Sequence, residues 1–254
     1  MVEVILLARP VFTDAHAAFL KAHLPPEDAH WREQGTPTPA ERLVEFAGRV
    51  CYMSFGRHQS ARSNAEYIAN LIRKGHESVL EHAVWTVALA GVTRAFTHQL
   101  VRHRVGFSFS QMSQQYHDDR GTPVIRPVEL EGHPDAAAAW NIAMGASRDA
   151  YATLVTALGL DNPSAMPVEM RRALRSAARS VLPNATESIV VVTANARAVR
   201  HFLRVRGTVL GDSEMRLIAA ALLETLRPEG PALFADFTII QPGDGLPLLS
   251  QRLP

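Results

Sequence analysis

Gln99-Leu100-Val101-Arg102-His103-Arg104-Val105-Gly106-Phe107-Ser108-Phe109-Ser110-Gln111-Met112-Ser113-Gln114-Gln115-Tyr116 is the most informative run in this 254-residue chain. With Arg94 and His98 just upstream, five basic side chains crowd into about three helical turns. Ser and Gln residues follow at once. Such a segment suits an anionic ligand: guanidinium forks hold phosphate oxygens bidentately, while hydroxyls and amides read polar edges. The plain alternative is a solvated basic helix face. An earlier run, Gly75-His76-Glu77-Ser78-Val79-Leu80-Glu81-His82, places His and Glu residues directly after a glycine.

Composition narrows the class. Apolar residues make up 47% of the chain and the net charge is +1, which describes a folded protein rather than a disordered or broadly nucleic-acid-coating one. The only cysteine, Cys51, excludes an intrachain disulfide and a cysteine-cluster metal site. Its apolar neighbourhood suggests a small core residue. The first residues carry no basic segment ahead of an apolar run, and no stretch approaches a membrane span, so a cytoplasmic protein without membrane contact is expected. The Asn184-Ala185-Thr186 sequon carries no weight without a secretory signal.

Hydrophobic periodicity gives the elements. Residues 2–8 read as a strand, and residues 12–24 as a short helix closed by Pro25-Pro26. Thr38-Pro39-Ala40-Glu41 and Ser63-Asn64-Ala65-Glu66 are capping boxes that each open a helix. The first should bury Leu43, Val44, Phe46, Ala47, Val50 and Cys51. The second should bury Tyr67, Ile68, Leu71 and Ile72 and stop at Gly75 in a left-handed cap. Residues 82–92 read as a strand broken at Gly91. Thr93 caps a helix running to Arg104, and the Ser/Gln segment after it reads as a loop. Helices are expected over 134–158, 167–180, 195–206 and 212–226, with a β-branched strand at 187–194. The tail from Pro242 reads as extended. With no repeat and no linker-like shift in composition, the expectation is a single α+β domain over residues 1–254, with a mixed sheet flanked by helices. The strands lie too far apart for simple hairpins.

Several chemistries are not supported. There is no P-loop, no Gly-x-Gly-x-x-Gly after a strand, no His-Glu-x-x-His and no Gly-x-Ser-x-Gly. No metal site is expected.

Arg102-His103-Arg104, followed after eight residues by Ser113 and then by Tyr116, resembles the signature of the flavin-dependent thymidylate synthases, the ThyX family. The family pattern has one residue fewer before the serine. Two further blocks resemble the family. Gly75 to His82 is similar to its flavin-contact segment, preceded by Phe46-Ala47-Gly48-Arg49-Val50-Cys51-Tyr52. Ala178-Arg179-Ser180-Val181-Leu182-Pro183 and Asn195-Ala196-Arg197…Phe202-Leu203-Arg204-Val205-Arg206 match its Arg-x-x-Leu-Pro and Asn-x-Arg…Phe-Leu-x-x-Arg segments.

The resemblance implies roles. His76, Ser78, Glu81, Arg102, His103, Arg104, Asn195, Arg197 and His201 would hold the flavin, with Arg197 on its phosphates. Gln99, Arg102, Gln111, Ser113, Gln115, Arg179 and Arg206 would hold the nucleotide. Arg206 and Ser113 would act at the reacting ring, Arg206 by stabilising charge that develops on the pyrimidine. A serine nucleophile activated by His103 is not needed in the family's mechanism, so Ser113 is assigned to binding. Departures accompany the match. Gln115 stands where the family usually has a phosphate-binding Arg, with Arg120 a possible substitute. His201 stands where Asn is frequent, and Leu210 where His is common.

The implied activity is methylation of dUMP to dTMP. 5,10-Methylenetetrahydrofolate would be the carbon donor and FAD, reduced by NADPH, the hydride donor, in a homotetramer with shared active sites. A divergent member acting on another pyrimidine nucleotide, or hydroxymethylating dUMP, is the alternative that the Gln115 change motivates. A nucleic-acid-binding protein using residues 93–104 is a third reading, opposed by the near-neutral net charge.

Overall fold

The structure, a computed structural model, describes residues 2–162, 164 and 166–252. The last two residues of the expected extended tail lie outside the described residues. The strands are β1 (Glu3–Ala8), β2 (Val84–Thr93), β3 (Phe107–Gln111), β4 (Glu187–Asn195), β5 (Phe237–Ile240) and β6 (Leu248–Gln251). The helices are α1 (Ala15–His23), α2 (Pro39–Tyr52), α3 (Asn64–Arg73), α4 (Arg94–Leu100), α5 (Pro134–Ala157), α6 (Val168–Ala178), α7 (Ala196–Phe202) and α8 (Ser213–Leu226). This is the α+β class expected from the sequence. A four-stranded sheet has the order β1-β2-β4-β3, and β5 and β6 form a second, two-stranded sheet. Among the described residues, no helix is long and apolar enough to cross a membrane.

The chain divides into two compact units. The larger holds residues 3–88, 103–109 and 192–252, and the smaller holds Val2, 89–102 and 110–191.

In the larger unit both capping boxes form as read. Thr38 Oγ1 accepts from Glu41 N, and Thr38 N donates to Glu41 Oε2 at 2.8 Å. Ser63 and Glu66 repeat the arrangement on α3, which buries Tyr67, Ile68, Leu71 and Ile72 as expected. Gly75 takes the left-handed conformation (φ +69°), which only a residue without Cβ adopts at ease. Helix α2 departs from expectation. Its buried stripe is Ala40, Glu41, Val44, Glu45, Gly48 and Arg49, and Cys51 is exposed rather than in the core. A buried ion pair turns the helix: Arg49 Nε donates to Glu45 Oε1 at 2.7 Å, and Asn64 Nδ2 donates to Glu45 Oε2 at 2.7 Å. The Arg49 guanidinium also lies 4.7 Å over the Tyr67 ring. Two charges satisfied in this way outrank the apolar periodicity of the opposite face.

Helix α2 packs on α3 and on the short turn Glu77–His82, and α7 packs on the same turn. After α7 the chain widens into a π turn, Leu203–Gly207, which rests on α8 and β6. Strands β5 and β6 pair antiparallel from Phe237↔Gln251 to Ile240↔Leu248, a hairpin the sequence reading did not anticipate.

In the smaller unit, Thr93 Oγ1 accepts from Phe96 N at 2.9 Å and opens α4, which ends at Leu100 and not at Arg104. Gly91 lies inside β2 rather than breaking it. The expected Ser/Gln loop begins as β3, with alternating burial along Phe-Ser-Phe-Ser-Gln. Helices α5 and α6 close over Tyr151, Val155, Leu160 and Ala178.

Candidate active site

Residues more than 100 positions apart meet in the larger unit. Arg197, near the start of α7, donates from Nη1 to Glu81 Oε1 at 2.6 Å, with its Nε 3.6 Å from Glu77 Oε2. Its side chain is still 45% exposed, and the Glu81 carboxylate raises its pKa. Asn195 caps α7 through Oδ1, which accepts from Ala198 N at 2.8 Å. Asn195 N donates to Gly106 O at 3.1 Å and so ties the third block to the Arg-His-Arg block.

His103 follows from the same arrangement. Arg206, in the π turn, donates from Nε to His103 Nε2 at 3.2 Å. The His103 ring stands edge-on to Phe202 at 5.3 Å and to His201 at 5.9 Å. Burial, helped by the Arg206 and His201 charges, pushes its pKa down. His201 is exposed, with Nδ1 3.4 Å from Arg204 Nη2. His76 is half-buried and stacks on Tyr52 at 6.5 Å. Ser78 and Arg104 are exposed. A π turn holds more residues per turn than an α-helix and so shifts which side chains share a face, and such turns recur at functional sites.

In the smaller unit, Gln111 Nε2 donates to Thr97 Oγ1 and to Ser188 Oγ, both at 2.9 Å. Ser113 Oγ accepts from Gln115 N at 3.3 Å, and its carbonyl accepts from Tyr116 N and His117 N. Ser113 thus heads a tight turn with its hydroxyl on an exposed residue. Gln115 is anchored to α6, its Nε2 donating to Ser176 Oγ at 2.8 Å. Gln99 and Arg102 are exposed at the end of α4, and Arg179 is half-buried just past α6. A cavity of about 440 Å³ opens beside this turn, lined by Met112, His117, Asp118, Thr122 and Ser188 among others.

Arg120 does not stand in for the charge that Gln115 lacks. Its guanidinium is committed to Asp118 and Asp161. The sequence places Arg94 in the basic cluster without giving it a site role of its own. Its Nη1 donates to the carbonyl of Met112 at 3.3 Å, beside Ser113. Desolvation lowers its pKa, with the Arg179 charge acting in the same direction and Asp119 opposing. Two cations within each other's field favour an anion between them. A signal was present in the sequence: Arg94 opens a helix whose first turn has no acidic residue, the end at which the macrodipole disfavours a cation.

Comparison with known proteins bears on the same residues. A family model described as Thy1, thymidylate synthase complementing protein, matches residues 35–232. The flavin-dependent thymidylate synthase of Mycobacterium avium is 42% identical over 234 residues, 91% of this chain and 92% of the relative. That of a Mycobacterium species, strain JLS, is 42% identical over 226 residues, 87% of this chain and 88% of its own. That of Corynebacterium diphtheriae is 38% identical over 243 residues, covering 94% and 95%. With the three motif blocks inside the matched region, this chain belongs to the flavin-dependent thymidylate synthase family.

Proposed function

We propose that this protein is a flavin-dependent thymidylate synthase that methylates dUMP to dTMP. 5,10-Methylenetetrahydrofolate would be its carbon donor, and NADPH would reduce its FAD. The observation that carries this reading is the pair of long-range hydrogen bonds, Arg197–Glu81 and Arg206–His103, which join a part of each motif block within the larger unit. The family model spans residues 35–232, which take in all three motif blocks. The family's homotetramer with shared sites, and a cytoplasmic location, complete the proposal.

The donor set fits a flavin dinucleotide. Arg197 and Arg204 offer exposed cations to a diphosphate, Asn195 offers an amide, and His76 offers a ring face. Bound and reduced, FAD would supply the hydride that turns the transferred one-carbon unit into a methyl group. The chain's own residues hold and polarise. Arg94, Arg179 and the Ser113 hydroxyl would take the nucleotide phosphate, and Gln111 a polar edge of the base. Arg206 would face the pyrimidine carbonyls, where a fixed guanidinium lowers the cost of negative charge on the ring.

An absorbance spectrum of the purified protein incubated with FAD, followed by dUMP titration and product mass, tests this. A flavin band that shifts with dUMP, and a product heavier by a methyl group, is the expected result. A colourless protein would overturn the flavin reading. A hydroxymethyl product would overturn the reaction.

A further inference from the structure

Arg206 donates its Nε–H to His103 Nε2 at 3.2 Å. A guanidinium carries only donors and does not lose its proton in proteins, so the imidazole nitrogen must be the acceptor. An imidazole nitrogen accepts only when it bears no proton. The contact therefore specifies one form of His103, neutral with its single proton on Nδ1. The surroundings agree. The ring sits against Phe202 at 5.3 Å and Phe107 at 6.1 Å, which solvate a charge poorly. The charged and titratable groups acting on it are Arg206 from the π turn and His201 from α7, and His201 in turn meets Arg204. A second proton on His103 would turn the acceptor into a donor facing a donor and set two cations against each other.

We propose that His103 is the positioning residue for Arg206: as a neutral acceptor it fixes the rotation of the guanidinium about Nε, and protonation removes that acceptor. Arg206 is a long side chain with many rotamers, and an outside acceptor keeps its guanidinium in one orientation. The inference rests on the proposed function only in taking Arg206 as the residue that faces the pyrimidine.

The test combines a direct reading of the proton with a kinetic one. Nitrogen-15 NMR of protein labelled at histidine, near pH 7.5, should show one ring with an unprotonated Nε2. That signal should vanish in His103→Gln, which assigns it. The profile of kcat/KM for dUMP against pH should fall on the acid side through the His103 ionisation, about tenfold per pH unit at its steepest. In His103→Gln the amide oxygen accepts at any pH, so that acid limb should disappear. This variant should also keep more activity than His103→Leu, which has no acceptor. Arg206→Ala should lose roughly 100-fold in kcat/KM. Adding His103→Leu to it, at saturating FAD, should cost clearly less than the loss that His103→Leu causes alone, because both substitutions remove the same contact. An Nε2 that carries the proton, an acid limb that persists in His103→Gln, or fully additive losses would each overturn the proposal. The NMR reading needs no turnover, so it decides the tautomer even if dUMP proves not to be the substrate.

Discussion

Gly106 lies within the segment that is one residue longer than the family pattern, and its backbone has φ +75°, which favours glycine. A Cβ built there would come within 2.6 Å of Asn195 Nδ2 and 2.9 Å of Ala198 Cβ. Here a bare backbone presses against the start of α7, and the Gly106 carbonyl accepts from Asn195 N. Gly106→Ala should therefore destabilise the protein by about 1–3 kcal/mol, combining a strained conformation with a clash. It should also weaken flavin binding by displacing Asn195. Thermal unfolding and flavin titration of the variant check the two effects separately. Arg197→Ala should behave differently. The guanidinium is exposed and its ion pairs lie at the surface, so the melting temperature should change little, while flavin retention on gel filtration should fall.

The C-terminal hairpin of β5 and β6 is held by charge as much as by apolar packing. Arg200 of α7 donates from Nη1 and Nη2 to the two Asp236 oxygens at 2.6 and 2.8 Å, both side chains buried. Gln251 of β6 adds a bond to Asp236 at 2.7 Å. Asp236→Ala leaves a buried guanidinium without its counter-ion and should cost about 3–5 kcal/mol, measurable by urea unfolding. Beyond β5, Asp244 grips the buried Arg216, whose guanidinium holds the Asp244 carboxyl down at about 2 against an ordinary value of 3.8. A depressed carboxylate stabilises the fold above its unfolded pKa, and that contribution drains away as pH falls from about 4 through about 2. Asp244→Asn should flatten this part of the stability–pH profile, read as melting temperature against pH. The tail from Pro242 read as extended, but the pairing of the hairpin was not legible, because its strands are four residues each and Asp236 and its partners, distant in sequence, help to hold them. The capping boxes at Thr38 and Ser63 were legible because hydroxyl and carboxylate lie three residues apart on one local turn. The buried face of α2 was not, since Glu45 and Arg49 turn inward only because Asn64 and Tyr67 on another helix receive them. β3 was hidden for a milder reason. Its Phe-Ser alternation has the strand period, but the polar residues after it suggested a loop.

At the scale of the molecule, the candidate ligand groups divide between the units, with two exceptions. Of the flavin set, His76, Ser78, Glu81, His103, Arg104, Asn195, Arg197 and His201 lie in the larger and Arg102 in the smaller; of the nucleotide set, Gln99, Gln111, Ser113, Gln115 and Arg179 lie with Arg94 in the smaller and Arg206 in the larger. The motif blocks in the sequence predicted these residue types but not this division, because each strand that leads to a block passes from one unit into the other. Two kinds of binding defect should therefore be separable. Arg179→Ala removes one of two neighbouring cations from the smaller unit, and a lost phosphate contact weakens ground state and transition state alike. It should raise KM for dUMP roughly 10- to 100-fold, with kcat much less affected and flavin content unchanged. Arg197→Ala should do the reverse: flavin is lost, and once saturating FAD is restored, KM for dUMP returns close to the parent value. Steady-state kinetics at two FAD concentrations, with flavin content measured on the same samples, distinguishes the patterns. If Arg179→Ala were to release flavin, or if excess FAD failed to rescue Arg197→Ala, the assignment of one ligand to each set of side chains would fail. The motif match to the family would stand regardless, because shared ancestry fixes which residues are present and the side-chain geometry of each unit decides what they hold.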